Sequence, residues 1–312
     1  MRFFFRTAAS IVGTAALLGA LLALVLHFWP GTDRVTVAAA AVSPVLWLAL
    51  VAIAAVCLLY VRALLRLVLV AAVAAAGIWV QAPLWRGEPA PANAGLTVLT
   101  ANIQVGAGDA DALATLVREN RVDVLAVLEV TDEAAQRIAA STIGTDLPHS
   151  LVRPAALANG TALYSRHPLA STGVVPGFVM TALTAVATVP GRGDVQLFAL
   201  HPTPPLDADT WDSELRRIGT LLQGVPEGRP VVALGDYNAT YDHVRFRSLL
   251  SHGYRDAGQL AGAGWLPTYP TDKGYPPVVG IDHVLLRGLG AAEVTAHDIR
   301  GADHRAVLAR VG

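Results

Sequence analysis

The chain has 312 residues, enough for one large domain or two ordinary ones, and carries a formal net charge of −1 with a pI near 6.8. That balance excludes bulk electrostatic attraction to nucleic acid as the organising principle. A mean hydropathy of +0.48 with 54% apolar residues excludes an ordinary soluble protein and predicts membrane spans.

The apolar excess lies before residue 86, while charges, prolines and histidines concentrate after it. The single cysteine, Cys57, sits in an apolar run, so the chain has no disulfide framework and no cysteine metal site. Thr7 to Trp29 contains no charged residue and exceeds the roughly 20 residues a helix needs to cross a bilayer. A signal peptide competes, with Arg2 and Arg6 as a basic start, but the apolar stretch is long for one and further apolar segments follow. A second span is expected within Val35–Leu59, its start left open by Ser43-Pro44, and a third from about Leu67 to Trp85. Arg2 and Arg6 precede span one, and Arg62 and Arg66 join spans two and three. The positive-inside rule then puts those segments in the cytoplasm and everything after Trp85 on the outer face. Arg86–Gly95, RGEPAPANAG, reads as a short semi-rigid linker that keeps the following domain close to lipid.

From Leu96 the pattern changes to short apolar runs separated by turns and helices. Strands are expected at Leu96–Asn102, Val122–Val130, the segment beginning Asn159, Val174–Val179, Leu183–Val189 and Val195–Leu200. Helices are expected at Asp109–Asn120, after the Thr131 cap, at Trp211–Leu222 and at Asp242–Ser251. Val231–Leu234 is a buried strand ending at Gly235, and Asp236 and Asn238 follow with i and i+2 spacing. Those two form either a plain turn or a site that orients water beside a phosphate. The strand Val278–Leu286 carries Asp282 in its middle, and Asp303-His304 precede a final strand, Ala306–Val311. The order predicts an α/β fold, two packed sheets with helices outside, preceded by a helical transmembrane region.

Glu129 is a carboxylate near the end of an apolar strand, which is costly unless paired or metal-bound. With it, the strand-end candidates are Asn102, His201, Asp236, Asn238, Asp282, Asp303 and His304, with no candidate nucleophilic Cys or Ser. Oxygen ligands favour Mg²⁺, or Mn²⁺, over structural zinc. The chain has no HExxH, Walker A or GxGxxG motif, which leaves metal-assisted hydrolysis of a phosphate ester as the best chemical fit. His149, His167, His243, His297 and Arg166 read as structural or surface residues, and the two Asn-X-Thr sequons at Asn159 and Asn238 fall inside these same motifs.

These residues, in this order, resemble the endonuclease/exonuclease/phosphatase superfamily, DNase I-like proteins, from Leu96 to the C-terminus. The resemblance rests on TANI with Asn102, LEV with Glu129, NGTALYSRHPL, LHP with His201, GDYNAT with Asp236 and Asn238, IDHVLL with Asp282 and ADHRAV with Asp303-His304. The N-terminal part is similar to that of bacterial members with three spans before such a domain. The resemblance implies Glu129 as principal Mg²⁺ ligand, with Asn102 nearby and Asp303 completing the metal and water network. It implies His304, oriented by Asp282, as general base or phosphate-polarising group. Asp236 would orient water, and Asn238 and His201 would hold phosphoryl oxygens. Tyr237 stands where the family usually has Phe, and Ala302 where it usually has Ser. The expected organisation is a three-helix membrane region over 1–85, the linker 86–95 and a catalytic domain over 96–312. The expected partners are a phosphate-ester substrate (nucleic acid, phospholipid or a small ester) and membrane lipid; no feature identifies a protein partner. The competing reading is an inactive membrane-bound module that binds phosphate, nucleic acid or lipid.

Overall fold

The computed structural model describes residues 1–93 and 95–312; Ala94, part of the expected linker, and the side chain of Arg2 lie outside the described residues. The chain forms two compact units, Met1–Pro83 with Tyr241–Val244, and Leu84–Thr240 with Arg245–Gly312.

The first unit contains three helices long and apolar enough to cross a membrane, α1 (Arg2–Phe28), α2 (Arg34–Tyr60) and α3 (Leu64–Gln81). Asp33 caps α2 by accepting from Val35 N and Thr36 N, so that helix starts before Ser43, and Pro44 lies inside it. Small residues let the helices approach. A Cβ on Gly77 would meet the Trp47 ring at 2.1 Å, and Ala16, Leu17, Ala54, Leu58 and Val70 form the seam. Most large side chains on these helices, from Phe3 to Ile78, point outward, as lipid-facing surfaces do. Arg66 donates to Ser10 and Thr14 at 2.8 Å, and Arg6 donates to Val61 O. The arginines on both sequence segments thus gather at one end of the bundle. At the other end, buried Asp242 accepts from His27 and Gln81 at 2.7 and 2.8 Å, and His243 donates to Val37 O. Asp242 therefore does not begin the helix expected at Asp242–Ser251, which is shorter (α9, Val244–Leu249).

The second unit is an α/β sandwich of two six-stranded sheets. It opens at Leu84, within α4 (Pro83–Arg86), whose Trp85 packs edge-on against Trp265, and Glu88 N donates to Leu260 O. In the first sheet the order is β11 (Ala291–Asp298), β12 (Arg305–Val311), β1 (Leu96–Asn102), β2 (Val124–Leu128), β4 (Thr161–Ser165), β3 (His149–Arg153). In the second it is β5 (Leu169–Val175), β6 (Ala182–Val189), β7 (Gly193–Leu200), β8 (Val231–Asp236), β10 (Asp282–Arg287), β9 (Arg255–Asp256).

Every residue of β1, β2 and β8 is buried, as expected for strands covered on both faces. One set of side chains, including Val98, Val124, Leu197, Leu234 and Val284, fills the space between the sheets. The alternate set in the first sheet packs under α5 (Ala110–Glu119), α6 (Asp132–Ala140) and α7 (Ile143–Asp146). Beyond the second sheet, α8 (Ala208–Gln223) buries Trp211, Leu215, Ile218 and Leu222, and α10 (Ala257–Ala261) follows the short β9.

Two expectations about strands need correction. The strand expected at Val174–Val179 is β5, which starts five residues earlier, ends at Val175 and carries a bulge. Asp282 opens its strand and does not sit in its middle, because Val279 is held by an isolated bridge to Tyr269. β3 and β11 carry no separate signal in the amino-acid sequence.

Candidate active site

The sandwich brings six strands' worth of polar ends to one edge. β1 runs parallel to β2 and β7 parallel to β8, so Asn102, Glu129, His201 and Asp236 all lie at or just past carboxyl ends. β10 and β12 run antiparallel to β8 and β1, so the same edge receives their beginnings, Asp282 and the His304 that precedes Arg305. The register puts Asp236 directly opposite Asp282.

Two glycines allow this convergence. A Cβ on Gly235 would lie 1.9 Å from Leu200 O, beside His201, and one on Gly160 would lie 1.9 Å from Val130 O, beside Glu129. Backbone strain collects at the same places: Glu129 has φ of 63° and Asn238 has φ of 49°, the left-handed region that few non-glycine residues adopt.

Asn102 ties the cluster together. Its Nδ2 donates to Glu129 Oε1 at 2.9 Å and to Asp236 Oδ2 at 3.2 Å, while its Oδ1 accepts from Gln104 N. The second Glu129 oxygen accepts from Val105 N at 2.6 Å. His304 Nδ1 donates to Asp282 Oδ2 at 2.8 Å, which leaves Nε2 facing Asp236 Oδ2 at 3.7 Å. His201 Nε2 lies 3.6 Å from the same Asp236 oxygen. Asn238 donates its backbone N–H to Asp236 Oδ1 at 2.8 Å and its Nδ2 to Pro202 O at 2.9 Å. Asp303 is half-buried beside this group, its carbonyl accepting from Thr271 N.

The electrostatics follow from burial and like charge. Burial alone pushes the His304 imidazolium down, but the Asp282 and Asp236 carboxylates outweigh it and raise the ring's pKa to about 10. Burial, then the facing Asp282 charge, pushes Asp236 above the usual carboxylate range. Burial also raises Asp303 and lowers His201.

The residues fit a hard divalent cation. Carboxylate oxygens dominate the donor set and no thiol is present: the Glu129 charge is near enough to help raise Asp303, and Asp236, Asp282 and His304 each offer an atom within 4.8 Å of the others beside them. Asp282 Oδ1 and His201 Nδ1 are buried with no hydrogen-bond partner among the described residues, so the cluster has polar capacity to spare for an ion, its waters or a phosphoryl group.

The structure therefore brings together Asn102, Glu129, His201, Asp236, Asn238, Asp282 and His304, with Asp303 at the border. The supports around these residues carry no signal in the sequence. The Tyr269 ring lies against His304 at 4.7 Å, and Thr268 Oγ1 accepts from Ile281 N and Asp282 N. Both belong to the irregular loop after Trp265, where no periodicity marks a residue as inward. Val105 acts through its backbone, which no side-chain pattern reveals.

A two-sheet α/β sandwich with an acidic, histidine-bearing edge defines the DNase I-like class of fold. The model of the "Endonuclease/Exonuclease/phosphatase family" matches residues 99–304. This chain belongs to that family of phosphoric ester hydrolases. Among solved structures, D. rerio TDP2 humanized by 14 mutations is 16% identical, with a TM-score of 0.60 over 70% of this chain and 98% of that one. D. rerio TDP2 complexed with a single-strand DNA product is likewise 16% identical, with a TM-score of 0.59 over 70% and 98%. An endonuclease/exonuclease/phosphatase from Beutenbergia cavernae DSM 12333 is 21% identical, with a TM-score of 0.54 over 69% and 71%. No curated protein matches the chain.

Proposed function

We propose that the protein is a membrane-anchored, Mg²⁺-dependent phosphoesterase whose catalytic domain, 96–312, faces outward and hydrolyses a P–O bond by attack of water. The observation that carries this reading is the Asp282–His304 pair at 2.8 Å, facing Asp236, with Glu129 held open by Asn102 and Val105 N. A binding module would gain nothing from a buried His–Asp pair aimed at a second carboxylate.

In this reading Glu129 and Asp303 hold the ion, and Asn102 orients Glu129 and bridges it to Asp236. The ion supplies positive charge that neutralises the phosphoryl oxygens and favours attack. Asp236, oriented by Asn238 N and the Asn102 amide, directs the attacking water. Asp282 fixes the His304 ring with Nε2 turned inward, where the imidazolium, kept protonated by the Asp282 and Asp236 charges, polarises the phosphoryl group. Asn238 and His201 stabilise the charge that develops on the phosphoryl oxygens. Outward placement is supported by the arginines at one end of the bundle and by three helices of spanning length.

The test uses the full chain in detergent or vesicles, with Mg²⁺ or EDTA, offered a phosphodiester, a phosphomonoester, single-strand DNA and phospholipid. Metal-dependent turnover that Glu129→Gln removes is the expected result. No turnover on any of them would favour the binding module, and turnover unaffected by Glu129→Gln would overturn the metal assignment. A C-terminal reporter active only in the cytoplasm would reverse the orientation.

A further inference from the structure

The rim of the site carries apolar side chains that the chemistry above does not use. Leu157 in the turn before β4, Val179 between β5 and β6, and Leu206 between β7 and α8 are 72%, 63% and 70% exposed. Single exposed apolar residues are ordinary, but these three tips are wired to the site and to one another. Gly160 O accepts from Val130 N, next to Glu129, and Asn159 O accepts from Thr181 N. The two Glu214 oxygens accept from Val179 N and Thr203 N, each at 2.6 Å, and Thr203 lies two residues past His201. A hydrogen-bonded belt thus runs past Glu129 and His201 with an apolar tip on each of its loops. Leu157 also has φ of 58°, so a left-handed backbone is held to present a leucine to solvent.

Charge decides what this rim suits. Segments 154–165, 174–190 and 201–210 themselves contain no Lys or Arg, the Arg217 guanidinium lying against Gly177, and Asp207 and Asp209 follow Leu206. A phosphate polymer needs cations to replace its counterions, so this rim is a poor fit for nucleic acid. An interfacial lipid surface needs apolar side chains instead. Such a surface is within reach. At about 1.5 Å per residue, the 18 residues of α3 suit a hydrocarbon core of roughly 30 Å. Four residues then lead from its end, Gln81, to the exposed Trp85 of the catalytic unit, at most about 14 Å of extended chain.

We propose that Leu157, Val179 and Leu206 dock the rim of the site on the bilayer surface, so that the phosphate ester it takes belongs to a lipid headgroup. The substrate half of this proposal rests on the phosphoesterase reading; the docking half does not.

The test reconstitutes the full chain in phosphatidylcholine vesicles, with Cys57→Ala and an environment-sensitive thiol label placed by Leu157→Cys, Val179→Cys or Leu206→Cys. Glu227→Cys, in the turn at the opposite end of β8, is the control. Nitroxide lipids are expected to quench the three rim labels and not the control. Rim labels quenched no more than Glu227→Cys, in protein whose circular dichroism is unchanged, would overturn the docking. In the second arm, Leu157→Ser, Val179→Ser and Leu206→Ser are combined. The ratio of turnover on a vesicle-borne phosphodiester to turnover on soluble bis(p-nitrophenyl) phosphate should fall about tenfold or more. An unchanged ratio, or a preference for single-strand DNA over the lipid, would overturn the lipid assignment. Quenched rim labels with no turnover on any ester would support the docking while removing the phosphoesterase reading.

Discussion

Gly235 has no side chain, and the geometry says why one is intolerable there. It is the residue before Asp236 and pairs with Leu200, the residue before His201. In Gly235→Ala the new Cβ would sit 1.9 Å from Leu200 O and 3.2 Å from Leu200 N. The obstacle is backbone in a buried strand, so no side chain can swing aside, and the two strands must part by roughly 1 Å in a close-packed interior. Overpacking of this kind costs about 1–3 kcal/mol, and weakening the last ladder hydrogen bond adds about 1 kcal/mol. For a unit of this size each kcal/mol lowers Tm by roughly 2–4 °C, so the variant should melt about 5–15 °C lower. Because the parting strands carry Asp236 and His201, now 3.6 Å apart, a shift of that size should lower kcat about 100-fold. Thermal melts and metal-dependent turnover below the melting range measure the two effects separately. Wild-type Tm and kcat in Gly235→Ala would refute the close-approach reasoning.

Gly219 is the contrasting case. Its Cβ would meet only Leu249 Cδ2 at 3.6 Å, and it lies inside α8, so Gly219→Ala should hold or raise Tm by a few degrees, through up to about 1 kcal/mol of helix propensity. A loss of stability there would show that α8 packs more tightly than described. Asn238→Gly keeps the left-handed backbone while deleting the amide, and should lower kcat by about 10²–10³ with little change in Tm; a large Tm loss instead would mark Asn238 as structural. The His304 pairing gives a pH signature in metal-free buffer. His304 is raised to about 10 when folded, against roughly 6.5 unfolded, so its contribution is complete below the unfolded value and fades as pH rises through the folded one. The Tm gap between wild type and Asp282→Asn should therefore be widest near pH 6 and narrow toward pH 10. A gap that widens with pH would refute the ion pair.

Local chemistry alone makes many of the elements legible. Uninterrupted apolar runs announce helices of membrane length because no charge interrupts them. Glu129, Asp236 and Asp282 stand out because a carboxylate next to a buried strand must have a partner or a purpose. The strong apolar runs of β1, β2 and β8 are legible for the same reason: strands buried on both faces are mostly apolar, with polar residues few and paired. Weaker strands are not. β3 buries only Leu151, β5 buries no residue fully and β11 buries only Ala291 and Val294, so their pairing rests on neighbours far along the chain.

Which polar groups meet depends on how the sheets and loops pack. Asp236 faces Asp282 because of the antiparallel register of β8 and β10, a relation that no spacing in the sequence encodes. Asn102 joins Glu129 to Asp236 across two different sheets, and Tyr269 reaches His304 from a loop without periodicity. Asp242, which read as a helix start, is instead buried against His27 and Gln81 in the helical unit. Residue type depends on local burial, which a sequence displays; pairing depends on long-range strand and helix packing, which exists only once the chain has folded.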